Sequence, residues 1–127
     1  MTNNTFGPYT TIRQVGDFLF VSGQVGVNPE NKVAPKDIAG QTERALLNME
    51  NILRKAGASL NDVVKTTVFL TDMANYATMN EVYEKRFDAP RPARSAVGVR
   101  GLPRVAGDTE LLVEIEAVAY KQGGAIV

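Results

Sequence analysis

Between Ile38 and Ala56 the residues Ile38, Thr42, Ala45, Leu46, Met49, Ile52, Leu53 and Ala56 fall on one line at helical spacing. Side chains three and four residues apart form a continuous stripe on an α-helix, and an apolar stripe has to be buried against another element. Asp37 stands where an N-cap accepts a backbone N–H, Gly57 where a left-handed residue closes a helix, and Lys55 near the negative end of the helix dipole. The spacing predicts a helix of roughly five turns ending at Ala56 or Gly57. Five other segments read as strands, so the surface that receives the stripe is a sheet.

Tyr9 to Val15 and Phe18 to Val25 are β-prone runs separated by Gly16-Asp17, a dipeptide suited to a tight hairpin turn. Ser22-Gly23-Gln24 puts a hydroxyl and a glycine inside an apolar strand, which predicts a bulge or the close approach of another group. Ser59 to Asp62 has capping-box spacing but room for only one turn before Val63 to Leu70, the strongest strand signal. A second helix is predicted from Asn75 to Phe87, with Tyr76, Met79, Asn80, Tyr83 and Phe87 on one face. Asn80 is the polar exception, and a buried amide there ties down a loop or strand end or contacts a ligand. Ala89-Pro90-Arg91-Pro92 is an extended connection into a strand through Arg94, and Leu111 to Tyr120 is the last strand.

The order β, β, α, β, α, β, β predicts one α+β domain over residues 1–127, a sheet with two helices packed on one face. Its other face then requires a water-tolerant surface or a partner chain, and a homo-oligomer is the economical solution. Residues 1–5 are expected to fray, and Gly123-Gly124 to form a loose tail.

The chain has no Cys and no His. That excludes disulfides, thiolate nucleophiles, Cys/His zinc sites, Ser-His-Asp triads and imidazole bases, and leaves carboxylates, Lys, Tyr, Arg, hydroxyls, backbone and water. Lys plus Arg and Asp plus Glu number 14 each, so no global field favours a polyanion and no nucleic-acid partner is expected. No leader pattern and no apolar run near the ~20 residues of a membrane span is present, so a soluble cytoplasmic protein is expected.

The chemistry-bearing residues concentrate on the last two strands. Arg94, Ala96, Gly98 and Arg100 alternate with Ser95, Val97 and Val99, while Glu114 and Glu116 alternate with Val113, Ile115 and Ala117. Within one sheet, a guanidinium on the first strand can face two carboxylates on the second. Such a group is either a cross-strand ion pair on a solvated face or a site, since Ala96 and Gly98 leave open space beside an arginine able to grip a carboxylate with two hydrogen bonds.

Gly7-Pro8-Tyr9, Phe20-Val21-Ser22-Gly23-Gln24, the run Val63 to Met73, Asn80-Glu81-Val82-Tyr83, and Pro92-Ala93-Arg94-Ser95 followed by Val113-Glu114-Ile115-Glu116-Ala117 occur in that order. Together they resemble the reactive-intermediate deaminases, the RidA/YjgF imine deaminases, across almost the whole chain. The resemblance implies a chorismate-mutase-like fold, a homotrimer with sites in the clefts between subunits, and no cofactor or metal. It implies hydrolysis of 2-aminoacrylate and related 2-imino acids to 2-keto acids and ammonia.

Carried over by position, Arg94 holds the substrate carboxylate and Glu114 positions or activates water. Tyr9, Ser22 and Asn80 line the pocket, and the backbone at Ala96 meets the imine nitrogen. Glu116 is the runner-up base. Two departures stand out: Ala96 replaces a cysteine common in relatives, and the ten residues from Pro103 to Leu112 exceed the usual spacing and are expected to form a hairpin tip near the site or a subunit edge. The alternative function is a non-catalytic trimer that binds small carboxylates.

Overall fold

The computed structural model describes residues 5–123. The fraying expected at residues 1–4 and the Gly124 half of the tail lie outside the described residues. The elements run β1 (Ile12–Val15), β2 (Phe18–Val25), α1 (Ile38–Lys55), β3 (Val63–Leu70), α2 (Tyr76–Arg86), β4 (Ala93–Gly98) and β5 (Val113–Tyr120), with single 3-10 turns at Leu60–Asp62 and Met73–Asn75. This is the order expected from the sequence. Asp37 caps α1 by accepting the Gly40 N–H at 3.1 Å, and Gly57 leaves it with φ of 82°. The β1–β2 turn uses Gly16 at φ of 59°, a conformation that costs glycine little.

The five strands form one mixed sheet in the order β1-β2-β5-β3-β4. All pairs are antiparallel except β3–β4, which is parallel because α2 carries the chain back between them. Along β5, Val113, Ile115, Ala117 and Ala119 are buried. With Leu19, Val21, Val68 and Leu70 they meet Leu46, Met49 and Leu53 of α1, Met79 and Tyr83 of α2, and Phe87 beyond it. The predicted helix stripe is therefore the floor of the core, where truncating Leu46, Met49 or Leu53 to Ala costs about 2–5 kcal/mol. The opposite sheet face carries exposed apolar side chains at Val15, Phe18, Phe20, Val97 and Tyr120.

The bulge expected at Ser22-Gly23 is present. Val21 pairs with Ala117 and Gln24 with Ile115, so two β2 residues oppose one of β5. The expectation that Arg94 faces Glu114 and Glu116 is overturned. β4 is an edge strand and β3 separates it from β5. Thr66 lies beside Arg94 on one side and Ala117 on the other, whereas Thr67 lies beside Ser95 and Glu116. Alternation within each strand was legible, but the phase of one against the other depends on β3. Arg94 consequently lies on the helix face and both glutamates on the opposite one.

The segment 99–112 is likewise no hairpin tip, because it must cross from the edge strand to the centre of the sheet. It packs with the 26–37 loop in a second small core of Val27, Ala34, Ala106 and Leu111. Fully buried Gln41 holds the two together. Its amide donates to the carbonyls of Pro35 at 2.8 Å and Glu110 at 2.9 Å, and accepts the Leu112 N–H at 2.7 Å. Gln41→Leu keeps the volume but strands these backbone groups, so a loss of about 3 kcal/mol is expected in urea unfolding. An unchanged midpoint would refute the role of this clasp.

Candidate functional site

Arg94 leaves the edge strand toward α2, whose first two turns receive it. Before the helix, Asp72 accepts the Ala74 N–H at 2.9 Å and fixes the 3-10 turn that aims Tyr76. Helical spacing then puts Tyr76, Asn80 and Tyr83 on one side. Arg94 Nη1 donates to Asn80 Oδ1 at 2.8 Å and Nη2 to the Tyr76 hydroxyl oxygen at 3.0 Å. The guanidinium carbon lies 4.8 Å from the Tyr83 ring centre and 5.5 Å from that of Tyr76, within cation–π range.

Tyr83 is itself anchored by a 2.7 Å hydrogen bond to the hydroxyl of fully buried Thr66. Burial raises the Tyr83 phenol pKa above its ordinary 10.0, while the Thr66 bond and the charges of Arg94 and Arg91 pull the other way. Ala96, two residues beyond Arg94 on the same face, is partly buried against the core. No ion pair involves Arg94 among the described residues. Its charge is oriented by neutral acceptors and aromatic rings, an arrangement suited to receiving an anion.

Glu114 belongs to the other face. A β-carbon added at Gly23 would lie 2.7 Å from the Glu114 carboxyl carbon, so the glycine in the bulge makes the room that this carboxylate occupies. Both alternatives read at Ser22-Gly23, a bulge and a close approach, are realised together. Burial, and then the charge of Glu116, raise the Glu114 pKa above its ordinary 4.5. The Ser22 hydroxyl donates to the Thr10 carbonyl at 2.6 Å, which ties β2 to the segment carrying Tyr9. A cavity of about 220 Å³ is lined by Thr10, Arg13, Phe20, Ser22, Lys65 and Glu116 among others, so Glu116 rather than Glu114 borders it.

The structure thus brings Arg94, Asn80 and Ala96 together, and separately associates Ser22 with the Tyr9 segment on the side where Glu114 meets Gly23. It does not join the two groups within the chain. The sequence places Tyr76 and Tyr83 on one helical face but does not mark them as site residues. Their spacing around Asn80, the one polar residue on that face, was the signal that they belong with it.

Residues 2–121 match the family model described as Endoribonuclease L-PSP. The chain is 48% identical over 117 residues to a RutC family protein of Pyrococcus abyssi, covering 91% of this chain and 88% of that protein. It is 42% identical over 116 residues to a 2-iminobutanoate/2-iminopropanoate deaminase of Mus musculus, covering 91% and 82%. The solved structure of Escherichia coli TdcF with bound serine is similar at a TM-score of 0.86 and 39% identity, covering 93% and 91%.

The Thr66–Tyr83 bond supports the ring beneath Arg94 and is testable by a double-mutant cycle. Thr66→Val and Tyr83→Phe are each expected to cost about 1–3 kcal/mol in urea unfolding, because each leaves one buried hydroxyl unpartnered. The double variant should lose less than the sum. Strict additivity would show that the two hydroxyls are not coupled.

Proposed function

Because the chain belongs to the Endoribonuclease L-PSP family, alongside the RidA/YjgF imine deaminases, we propose that it hydrolyses 2-imino acids to 2-keto acids and ammonia. The observation that carries this reading is the preorganised, half-buried Arg94 guanidinium, which has no carboxylate partner among the described residues. Arg94 binds the substrate carboxylate, and Asn80 holds the guanidinium in place. Glu114 takes a proton from water as the water oxygen adds to C2 of the imine. That proton passes to the imine nitrogen to give a neutral carbinolamine; Glu114 then takes the carbinolamine hydroxyl proton and returns it to nitrogen as the C–N bond breaks, so the carbonyl of the keto acid forms and ammonia leaves. An imine is already electrophilic, so orientation and one carboxylate base suffice. The raised Glu114 pKa makes that base stronger at neutral pH.

Arg94 and Glu114 lie on opposite faces of one sheet, so the reaction requires two copies of the chain. One copy supplies Arg94, Asn80 and Ala96, and its neighbour supplies Glu114, Ser22 and Tyr9. The exposed apolar residues on the sheet face opposite the helices support such an assembly, which we take to be a homotrimer. In this arrangement Glu116 remains at the interface without a catalytic role.

Keto-acid formation from enzymatically generated 2-aminoacrylate is the direct assay. Arg94→Ala and Glu114→Gln should each lower kcat/KM by about 10²–10⁴-fold. Co-assembling the two inactive variants should restore activity at about one quarter of the sites, because sites pairing intact Arg94 with intact Glu114 form by chance at the interfaces. No recovery after verified subunit exchange would refute the shared site.

The pH profile gives a separate test. Glu114 works as a base only when ionised, so kcat/KM rises with pH through a limb displaced above 4.5, and Glu114→Gln should abolish that limb. A second reading, binding of a small carboxylate without turnover, has one observation in its favour: the TdcF structure holds serine. Calorimetric binding of 2-keto acids without accelerated imine hydrolysis would select it.

A further inference from the structure

The hydroxyl of Tyr76 accepts an N–H from Arg94 at 3.0 Å and so keeps its own proton available to donate. No acceptor takes that proton among the hydrogen bonds of the described residues. Tyr76 is 38% exposed at the start of α2, with its hydroxyl directed to the guanidinium rather than the core. On the arginine, Nη1 is occupied by Asn80 Oδ1 at 2.8 Å and lies 3.9 Å from Met79 Sδ. Among the hydrogen bonds of the described residues, Nε–H and one Nη2 N–H are left over.

We infer that Tyr76 is a substrate-contacting residue, whose O–H joins the free edge of Arg94 in holding the carboxylate of the ligand. A carboxylate offers about four lone-pair positions, enough for three converging donors. The Tyr76 bond also restrains guanidinium rotation before the ligand arrives, which lowers the ordering cost of binding. Asn80, an acceptor toward Arg94, orients the cation from behind, whereas Tyr76 both orients it and presents a proton of its own. The inference rests on Arg94 being the carboxylate anchor and adds a residue with no role in the proposed reaction so far.

The test is Tyr76→Phe, which keeps the ring and removes only the hydroxyl, with thermal unfolding as a check that the fold is retained. Calorimetry with 2-oxobutanoate, a stable 2-keto acid, should show roughly tenfold weaker binding than wild type, the scale of one charge-assisted hydrogen bond. In imine hydrolysis KM should rise by a similar factor with kcat within about twofold, because the carboxylate contact is the same in ground and transition states. Unchanged affinity, or a fall in kcat at constant KM, overturns the inference. Wild-type binding that is lost in Arg94→Ala but unaltered in Tyr76→Phe overturns it while leaving the anchor role intact. Absence of 2-oxobutanoate binding to wild type overturns both.

Discussion

The position of β3 between β4 and β5 is the constraint on which the rest of the site depends. Pleated strands send alternate side chains to opposite faces, so a shared neighbour fixes the phase of both strands it pairs with. Thr66 is that reference point. It stands beside Arg94 and Ala117 in the ladders, and its hydroxyl reaches Tyr83 under the Arg94 guanidinium. Shifting either ladder by one residue would exchange the arginine with Ser95, or bring a glutamate into the core. The apolar burial of Val68, Leu70, Val113 and Ile115 on the same face opposes both slips.

Polar groups inside this protein act mainly as ties. Gln41 and Asn48 sit in the helix facing the sheet, and each satisfies loop or strand carbonyls at the same end of the molecule. Asn48 donates to Val25 and Val27 carbonyls at 3.1 and 2.9 Å and accepts from Arg44 at 2.9 Å. Such contacts add little net energy each, but leaving one unmade is costly, so they select one loop arrangement over its competitors. The loop over residues 99–112 is long because of its topology, and the amide of Gln41 converts that length into a packed layer.

Much of the architecture was legible in the sequence. The stripe through Leu46, Met49 and Leu53, the caps at Asp37 and Gly57, and the strand Val63–Leu70 appear as their local patterns required. The alternation of Arg94 with Ser95 and of Glu114 with Val113 was also correct within each strand. How the two strands relate is not local: β4 and β5 are consecutive in sequence but separated in the sheet by β3, which no local pattern reveals. The spacing of Tyr76 and Tyr83 around Asn80 marks one helix face, but that a guanidinium from β4 lies against this face is likewise a long-range fact. Glycine at residue 23 was legible as a special position, but which side chain filled its space was a long-range fact.

The strand order also bears on how the chain can be made. β5, the last strand in the sequence, lies at the centre of the sheet. A polypeptide growing from a ribosome can assemble the β1–β2 hairpin and the β3–α2–β4 unit, yet neither half can meet the other through its native edge until the stretch from Val113 has emerged. At about 5–20 residues per second this leaves two unpaired inner edges exposed for seconds. They are open to other chains with unpaired backbone during that interval. The strand that carries Glu114 is therefore also the one that closes the sheet, so the carboxylate reaches its place only when the halves of the protein are joined.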